Sequence, residues 1–369
     1  MSVSGDYGIV NQIEFQGRSF AGASVSNYGV VQTGDVVYTK SPLNSNPYGI
    51  IKTNKGKPGI VSTLYAVYHP KENAFSDFIQ VYFEQHARMN NYMHPLVNKG
   101  AKNDMKVSAE NALKGPVCFP SRIEQESISA FFSVLDNLIT LHQRKFEKLT
   151  NVKKSMLEKM FPQNGSSYPE IRFKGFTDPW EQRKLSEMCG TFEYGLNAAA
   201  KEFDGKNKYI RITDIDDVSR EFLLSDLSSP DICLDGMSKY LLSSGDVVFA
   251  RTGASVGKTY IYRENDGIVY FAGFLIRAKV NQDNDAEFVF QSTLSPSYEK
   301  YIRITSQRSG QPGVNAQEYS EYDLFAPSKE EQQRIGHFLR GIDHLITLHQ
   351  RELEKLQNIK KSMLEKMFV

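Results

Sequence analysis

Leu135 to Phe161 reads LDNLITLHQRKFEKLTNVKKSMLEKMF, and Ile342 to Phe368 reads IDHLITLHQRELEKLQNIKKSMLEKMF. A shift of 207 residues superimposes the two segments, with 21 of 27 positions identical. The differences are mild: Phe146 against Leu353, Thr150 against Gln357, Val152 against Ile359. An internal repeat decides the architecture before any local reading does, and a period this long excludes a solenoid or a propeller. It points to two large units, each closed by the same helix.

Upstream the match widens. Pro120-Ser-Arg-Ile-Glu-Gln stands 207 residues before Pro327-Ser-Lys-Glu-Glu-Gln. Ser121 with Glu124, and Ser328 with Glu331, fit the S-x-x-E capping box, in which serine accepts from the third helical amide and glutamate reaches back. From Ser328 to Phe368 an unbroken helix would run roughly 60 Å. Gly336 and Gly341 are expected to interrupt it, each costing about 1 kcal/mol relative to alanine. An apolar seam recurs at four- and three-residue steps. In the first copy it is Leu135, Ile139, His142, Phe146, Leu149, Met156 and Met160; in the second, Ile342, Ile346, His349, Leu353, Leu356, Met363 and Met367. Lys360 breaks the seam beside Ile359. Such a stripe of about three heptads predicts a coiled-coil-like pairing. Each copy is the other's obvious partner, although periodicity alone leaves open two helices that pack separately on their own domains.

The 369 residues suffice for two or three domains. With 40% hydrophobic, 24% charged and 12% aromatic residues, the chain reads as ordinary globular protein rather than disordered. Its net charge of +1 gives no global attraction to polyanions, so a nucleic-acid surface would have to come from local clustering. Three scattered cysteines, Cys118, Cys189 and Cys233, lack C-x-x-C spacing and predict reduced thiols rather than a disulfide framework or zinc site. The start lacks a basic region followed by an apolar core, and no apolar run is long enough for a membrane span. A cytoplasmic location is expected.

The flanking globes also echo each other. Gly34-Asp-Val-Val-Tyr38 returns as Gly245-Asp-Val-Val-Phe249, Gly59-Ile-Val as Gly267-Ile-Val, and Val107-Ser-Ala as Val314-Asn-Ala. The composition of Asp35–Thr39 and Ile60–Tyr68 predicts strands, and the spacing over Phe75–Arg88 predicts one short helix. Pro162 to Pro169 is a turn-rich linker. The segment from Tyr168 to about Arg211 has no counterpart at the N-terminus, so the first globe is expected to be naturally small or to lack its start.

Gly253-Ala-Ser-Val-Gly-Lys-Thr259 tempts a phosphate-loop reading. It has three residues between its glycines where the motif needs four, and Thr252 stands where the first glycine belongs. Ser45-Asn-Pro-Tyr48 and Asp178-Pro-Trp180 each lack the second proline of an amino-methyltransferase motif. Pro230-Asp231 lacks the E-x-K that completes a nuclease set, and no histidine, cysteine and carboxylate spacing suggests a metal site. Neither catalytic residues nor metal ligands are assigned. What remains is a set of unlike loops at equivalent places, carrying cations for phosphates and Arg, Asn and Gln for base edges. The candidates in the first unit are Lys52, Lys55, Lys57, Lys99, Lys102 and Asn103. In the second they are Lys201, Lys208, Arg211, Arg251, Thr252, Lys258, Arg303, Arg308 and Gln311.

Together, the twin Pro-Ser-x-x-Glu-Gln…Leu-Ile-Thr-Leu-His-Gln-Arg…Lys-Lys-Ser-Met-Leu-Glu-Lys-Met-Phe segments and the opening Tyr168-Pro-Glu-Ile-Arg-Phe-Lys-Gly-Phe-Thr-Asp-Pro-Trp resemble the specificity (S) subunits of Type I restriction–modification systems. The resemblance covers essentially the whole chain, except that the domain opening is absent before the first globe. It implies two α/β target recognition domains separated by two long helices packed as an antiparallel coiled coil. The expected boundaries are 1–120 and 164–327 for the recognition domains, with 121–163 and 328–369 as the helical regions. It further implies a non-catalytic subunit that reads a bipartite site on double-stranded DNA. Two methyltransferase (M) subunits and restriction (R) subunits would be its partners. S-adenosylmethionine and ATP would be used on those partners, with no cofactor on this chain and no membrane. Two rival readings are a coiled-coil scaffold without sequence-specific DNA binding, and an ATPase using residues 253–259.

Overall fold

The computed structural model describes residues 1–5, 7–18, 24–40, 42–43, 46–97, 106–163, 165–308 and 310–368. In chain order, the first strands are β1 (Ser2–Ser4), β2 (Gly8–Val10), β3 (Gly29–Val31), β4 (Val36–Thr39), β5 (Ile51–Thr53), β6 (Gly59–Val61) and β7 (Tyr65–Tyr68). Helix α1 (Gln12–Gln16) lies among them, and α2 (Ser76–Glu84), α3 (His86–Met93) and the long α4 (Arg122–Lys159) follow. Then come β8 (Glu181–Lys184), α5 (Leu185–Met188), β9 (Cys189–Tyr194), β10 (Ala200–Glu202), β11 (Lys208–Ile210) and β12 (Ser228–Pro230). The chain continues through β13 (Val247–Ala250), β14 (Thr259–Ile261), β15 (Val269–Phe271) and β16 (Leu275–Val280). It closes with α6 (Ala286–Ser292), α7 (Pro296–Thr305), α8 (Ala316–Ser320), β17 (Asp323–Ala326) and the long α9 (Lys329–Lys366). The fold is mixed helix and sheet. It divides into two compact units, Met1–His142 with Glu352–Val369, and Gln143–Arg351, so each long helix contributes one part to each unit.

The two G-D-V-V strands hold the same place in their units. β4 pairs antiparallel with β5 and β7, and β13 pairs antiparallel with β14 and β16. The motif sets the turn that launches each strand. Gly34 and Gly245 adopt φ of 91° and 84°, the left-handed region open to glycine. The following aspartate ties the turn: Asp35 accepts from the Gln32 amide at 2.6 Å, and Asp246 from the Ser243 amide at 2.9 Å. Both strands are buried along their whole length. Side-chain alternation sends Val36 and Tyr38 into one cluster and Val37 into another, and likewise splits Val247 and Phe249 from Val248 and Ala250. Burial on both faces explains the continuous apolar run.

The units differ at their sheet edges. In the second, β9 extends the sheet along β16, and β11 runs parallel to β15. In the first, the β1–β2 hairpin lies against the equivalent region: the Met1 nitrogen donates to the Ile60 carbonyl at 2.7 Å, and Met1, Val3 and Ile9 pack on Val31, Val37 and Val61.

Four local expectations are corrected. The helix expected over Phe75–Arg88 is two helices, broken at Gln85 (φ −75°, ψ 116°). Arg88 caps the break by donating to the Tyr82 carbonyl at 2.8 Å, and donates also to the Leu364 carbonyl at 2.8 Å, a long-range contact that helical spacing does not reveal. The run Ile60–Tyr68 is two strands separated by a turn in which the Tyr65 amide donates to the Ser62 carbonyl at 3.1 Å. Helix α9 runs uninterrupted through Gly336 and Gly341. Gly336 is there for close approach, since a Cβ would meet Asp285 Oδ1 at 2.6 Å and the Phe288 amide at 3.0 Å. Finally, Ser121 does accept from the Glu124 amide at 3.3 Å, but Glu331, 1% exposed, spends both oxygens on Arg172 at 2.7 Å instead of reaching back to Ser328.

Two repeat glutamines fasten helix to globe in the same way. Gln125 accepts from the Phe75 amide at 2.8 Å and donates to Asn73 and Pro120 carbonyls; Gln332 accepts from the Asp285 amide at 3.0 Å and donates to the Pro327 carbonyl. Both are buried.

Within the first unit, Phe132 stacks on Phe368 at 6.1 Å and Asp136 meets Lys360 at 2.7 Å. Advancing along α4 therefore moves backward along α9: the helices pair antiparallel. In the second unit Lys153 pairs with Asp343. These two ion pairs are the same pair twice, since Asp136 and Lys153 become Asp343 and Lys360 after 207 residues. The seam is turned inward. Leu135, Ile342 and Ile346 are buried, while Ile139, His142, Phe146, Leu149, Met156, His349, Leu353, Leu356 and Met363 are half-buried. Met160 is buried but Met367 is exposed. Lys360, read from periodicity as a break, and Lys153 are the seam's paired charges. Lys360 also holds Glu84 at 2.8 Å.

Removing one partner of a buried pair strands the other charge, whereas replacing both with apolar residues is often neutral or stabilising. Asp343→Ala should therefore lower stability by about 3 kcal/mol. The double change Lys153→Met with Asp343→Leu should recover most of that loss. Denaturant unfolding of the three proteins measures both, and a double variant no more stable than Asp343→Ala contradicts the pairing.

Candidate nucleic-acid interface

The end of the second unit's sheet gathers side chains from four segments. β13 ends at Ala250 and delivers Arg251; the Arg251 amide donates to the Phe274 carbonyl at 3.0 Å, in the turn before β16. The Arg251 guanidinium lies 5.0 Å from the ring centre of Tyr194, the last residue of β9, a cation–π contact. Tyr194 is itself positioned by accepting from the Ala316 amide at 3.2 Å. Thr252 bridges to Gly313, and Gln311, from the same segment, lies beside Gly253, with Nε2 2.9 Å from where a Cβ would stand. Phe274 is 58% exposed on its turn. The result is a half-buried guanidinium and hydroxyl beside an exposed amide and two exposed aromatics, gathered at the end of the sheet.

The first unit has the counterpart. The Lys40 amide, after β4, donates at 3.1 Å to the carbonyl of Leu64, which is 60% exposed in the turn before β7. A cation beside an exposed apolar tip thus occurs in both copies. Arg251, Thr252 and Gln311 are among the candidates named from the sequence, whereas Phe274, Lys40 and Leu64 are not, because the tip is defined by a hydrogen bond across a hairpin rather than by composition.

The remaining candidates are dispersed. Lys52, 13% exposed, lies 3.6 Å from Glu84. Burial raises the Glu84 carboxyl, but Lys360 and Lys52 outweigh it and hold the group below its ordinary range. Lys55 pairs with Asp77 at 3.2 Å, and Lys57 is exposed on a turn organised by Asn54. Lys99, Lys102 and Asn103 lie outside the described residues. Lys201 is exposed on β10, and Lys208 donates to the Asp266 carbonyl at 2.7 Å. Arg211 is held by Asp214 at 2.8 and 2.9 Å, which raises its pKa further. Lys258 pairs with Asp217, Arg308 pairs with Glu318, and Arg303 is exposed on α7.

Residues 253–259 are not arranged as a phosphate loop. That loop leads from a strand into a helix. Here the chain makes a short turn at Gly253–Ser255 and returns in β14, antiparallel to β13. Among the described residues no helix is long and apolar enough to cross a membrane.

Residues 177–358 match the family described as Type I restriction modification DNA specificity domain. The chain is 24% identical over 321 residues to the Type I restriction enzyme MjaVIII specificity subunit of Methanocaldococcus jannaschii, covering 84% of this chain and 73% of that protein. It is 21% identical over 348 residues to the putative MjaX specificity subunit of the same organism, covering 90% and 76%. Its fold is similar to the crystal structure of the Type I restriction–modification S subunit from M. genitalium, with a TM-score of 0.62 at 14% identity over 92% of this chain and 84% of that one. With its twin repeat helices and twin G-D-V-V sheets, the chain belongs to the family of Type I restriction–modification specificity subunits.

Proposed function

We propose that the chain is a non-catalytic subunit that reads a bipartite target on double-stranded DNA, one half-site per unit. In this reading it positions two methyltransferase subunits and the restriction subunits. The observation that carries the proposal is the paired tip: equivalent strand ends present different side chains, Arg251 with Phe274 in one unit and Lys40 with Leu64 in the other. Two such readers on one framework suit two unlike half-sites. Arg251 is suited to the O6 and N7 acceptors of guanine, Gln311 to adenine, and the exposed Phe274 to a thymine methyl. S-adenosylmethionine and ATP chemistry is assigned to the partner subunits.

Arg251→Ala should weaken target binding by about 1–3 kcal/mol and relax one base position. Lys52→Ala should leave base preference unchanged, because its charge is engaged by Glu84. Titration against a panel of single-base variants distinguishes the two outcomes.

The full reading is tested by modification mapping, with long-read sequencing of DNA from cells that express the chain with its methyltransferase partner. A motif of two specified blocks around an unspecified spacer is expected. The helical repeat of about 34 Å sets the scale on which two readers address successive major-groove faces. Adding a few residues to both α4 and α9 should therefore change the spacer and leave the blocks intact. An absence of sequence-dependent modification favours the scaffold reading, and altered blocks around an unchanged spacer overturn the ruler role of the helices.

A further inference from the structure

The two units carry equivalent grooves. In the second unit a groove of about 630 Å³ runs along α4, lined on that side by Thr150, Lys153, Lys154 and Leu157. In the first a groove of about 690 Å³ runs along α9, lined by Gln357, Lys360, Lys361 and Leu364. Each of these four stands 207 residues after its counterpart. The opposite walls correspond as well. Gly257 and Lys258 border one groove, Gly49 and Ile50 the other. Their hairpins are closed alike, Ala250 donating to the Lys258 carbonyl at 2.8 Å and Thr39 to the Ile50 carbonyl at 3.0 Å.

Charge separates the lining residues into two classes. Lys153 and Lys360 are spent on Asp343, and on Asp136 and Glu84. Lys154 and Lys361 are exposed and have no ion pair among the described residues. The second groove adds the exposed Arg303 and the half-buried Arg220, against Asp217, already paired with Lys258, and Glu299. The first groove opposes Lys361 with Glu365, while Glu84 is engaged by Lys360. The available groups are mostly cations at the same two places.

We infer that these paired grooves are contact sites for the phosphate backbone of double-stranded DNA, with Lys154 and Lys361 as equivalent contacts and Arg303 as an additional one. The inference rests on the DNA-reading role proposed above. The helix wall is the same in both units while the reading tips differ. A ligand met by both walls must present the same chemistry twice; two copies of a protein partner and the duplex backbone both do so, and the exposed cations Lys154, Lys361 and Arg303 favour the backbone.

The test uses the full chain assembled with its methyltransferase partner. Lys154→Gln, Lys361→Gln and Arg303→Gln are compared with wild type for affinity to target and unrelated DNA over a range of salt. Each single change should lower the slope of log K against log salt by about one, and the joint lysine change by about two. The ratio of target to unrelated affinity should stay constant. All three side chains are exposed, so thermal midpoints should not move. Slopes unchanged in variants of a DNA-binding wild type overturn the groove assignment and leave the reading role standing. Unchanged slopes with reduced recovery of the methyltransferase subunit also overturn it, and give the grooves to a protein partner. A wild-type assembly that binds no DNA overturns the reading role itself.

Discussion

The lysine–aspartate pair of the helix seam, present twice, with Lys153 buried and Lys360 half-buried, is the interaction on which the rest of the structure depends. Lys153 with Asp343 and Lys360 with Asp136 place a charge inside an otherwise apolar stripe. An apolar seam alone tolerates sliding by a heptad, because leucine, isoleucine and methionine accept many neighbours. A buried ammonium accepts few, since any register that parts it from its carboxylate leaves a desolvated charge. In each unit the pair selects one register, and the repeat supplies the same pair to both units.

In each unit the globe is attached to its long helix by a matching device. Gln125 and Gln332 join the start of each repeat helix to the segment before α2 or α6, and both are fully enclosed. Downstream, Gln291 donates to Asp343 at 2.7 Å, while Glu84, 207 residues earlier, accepts from Lys360. The copies have thus kept the place of the contact and exchanged its chemistry. Gly336 brings the N-terminus of α6 close to its helix; the first copy has Ser129, whose hydroxyl turns back to the Gln125 carbonyl at 2.7 Å.

Much of this was legible in the chain. The repeat, the serine before each long helix and the seam follow from local rules, and the G-D-V-V strands announce burial on both faces. What was not legible depends on partners distant in sequence. Lys360 interrupts a periodic pattern, and only the fold shows the carboxylates that make it a seam residue. Lys52 and Lys258 read as loop cations free for a ligand, but Glu84 and Asp217 engage them across 32 and 41 residues. Glu331 carries a capping signature and is claimed instead by Arg172, which lies 159 residues earlier. Charges were harder to place than apolar residues because an apolar side chain needs only a face, whereas an ion needs a particular neighbour.

The tips that hold Arg251 and Phe274, and Lys40 and Leu64, are joined through main-chain atoms, an amide to a carbonyl across a hairpin. That bond makes no demand on the identity of either side chain. The side chains at these tips, Phe274 and Leu64 exposed and Arg251 and Lys40 half-buried, are thus ones whose replacement leaves the backbone bond intact. Such a chain can exchange the surface at one sheet end for another in single steps, with its core, its helix pairing and its other unit left as they were.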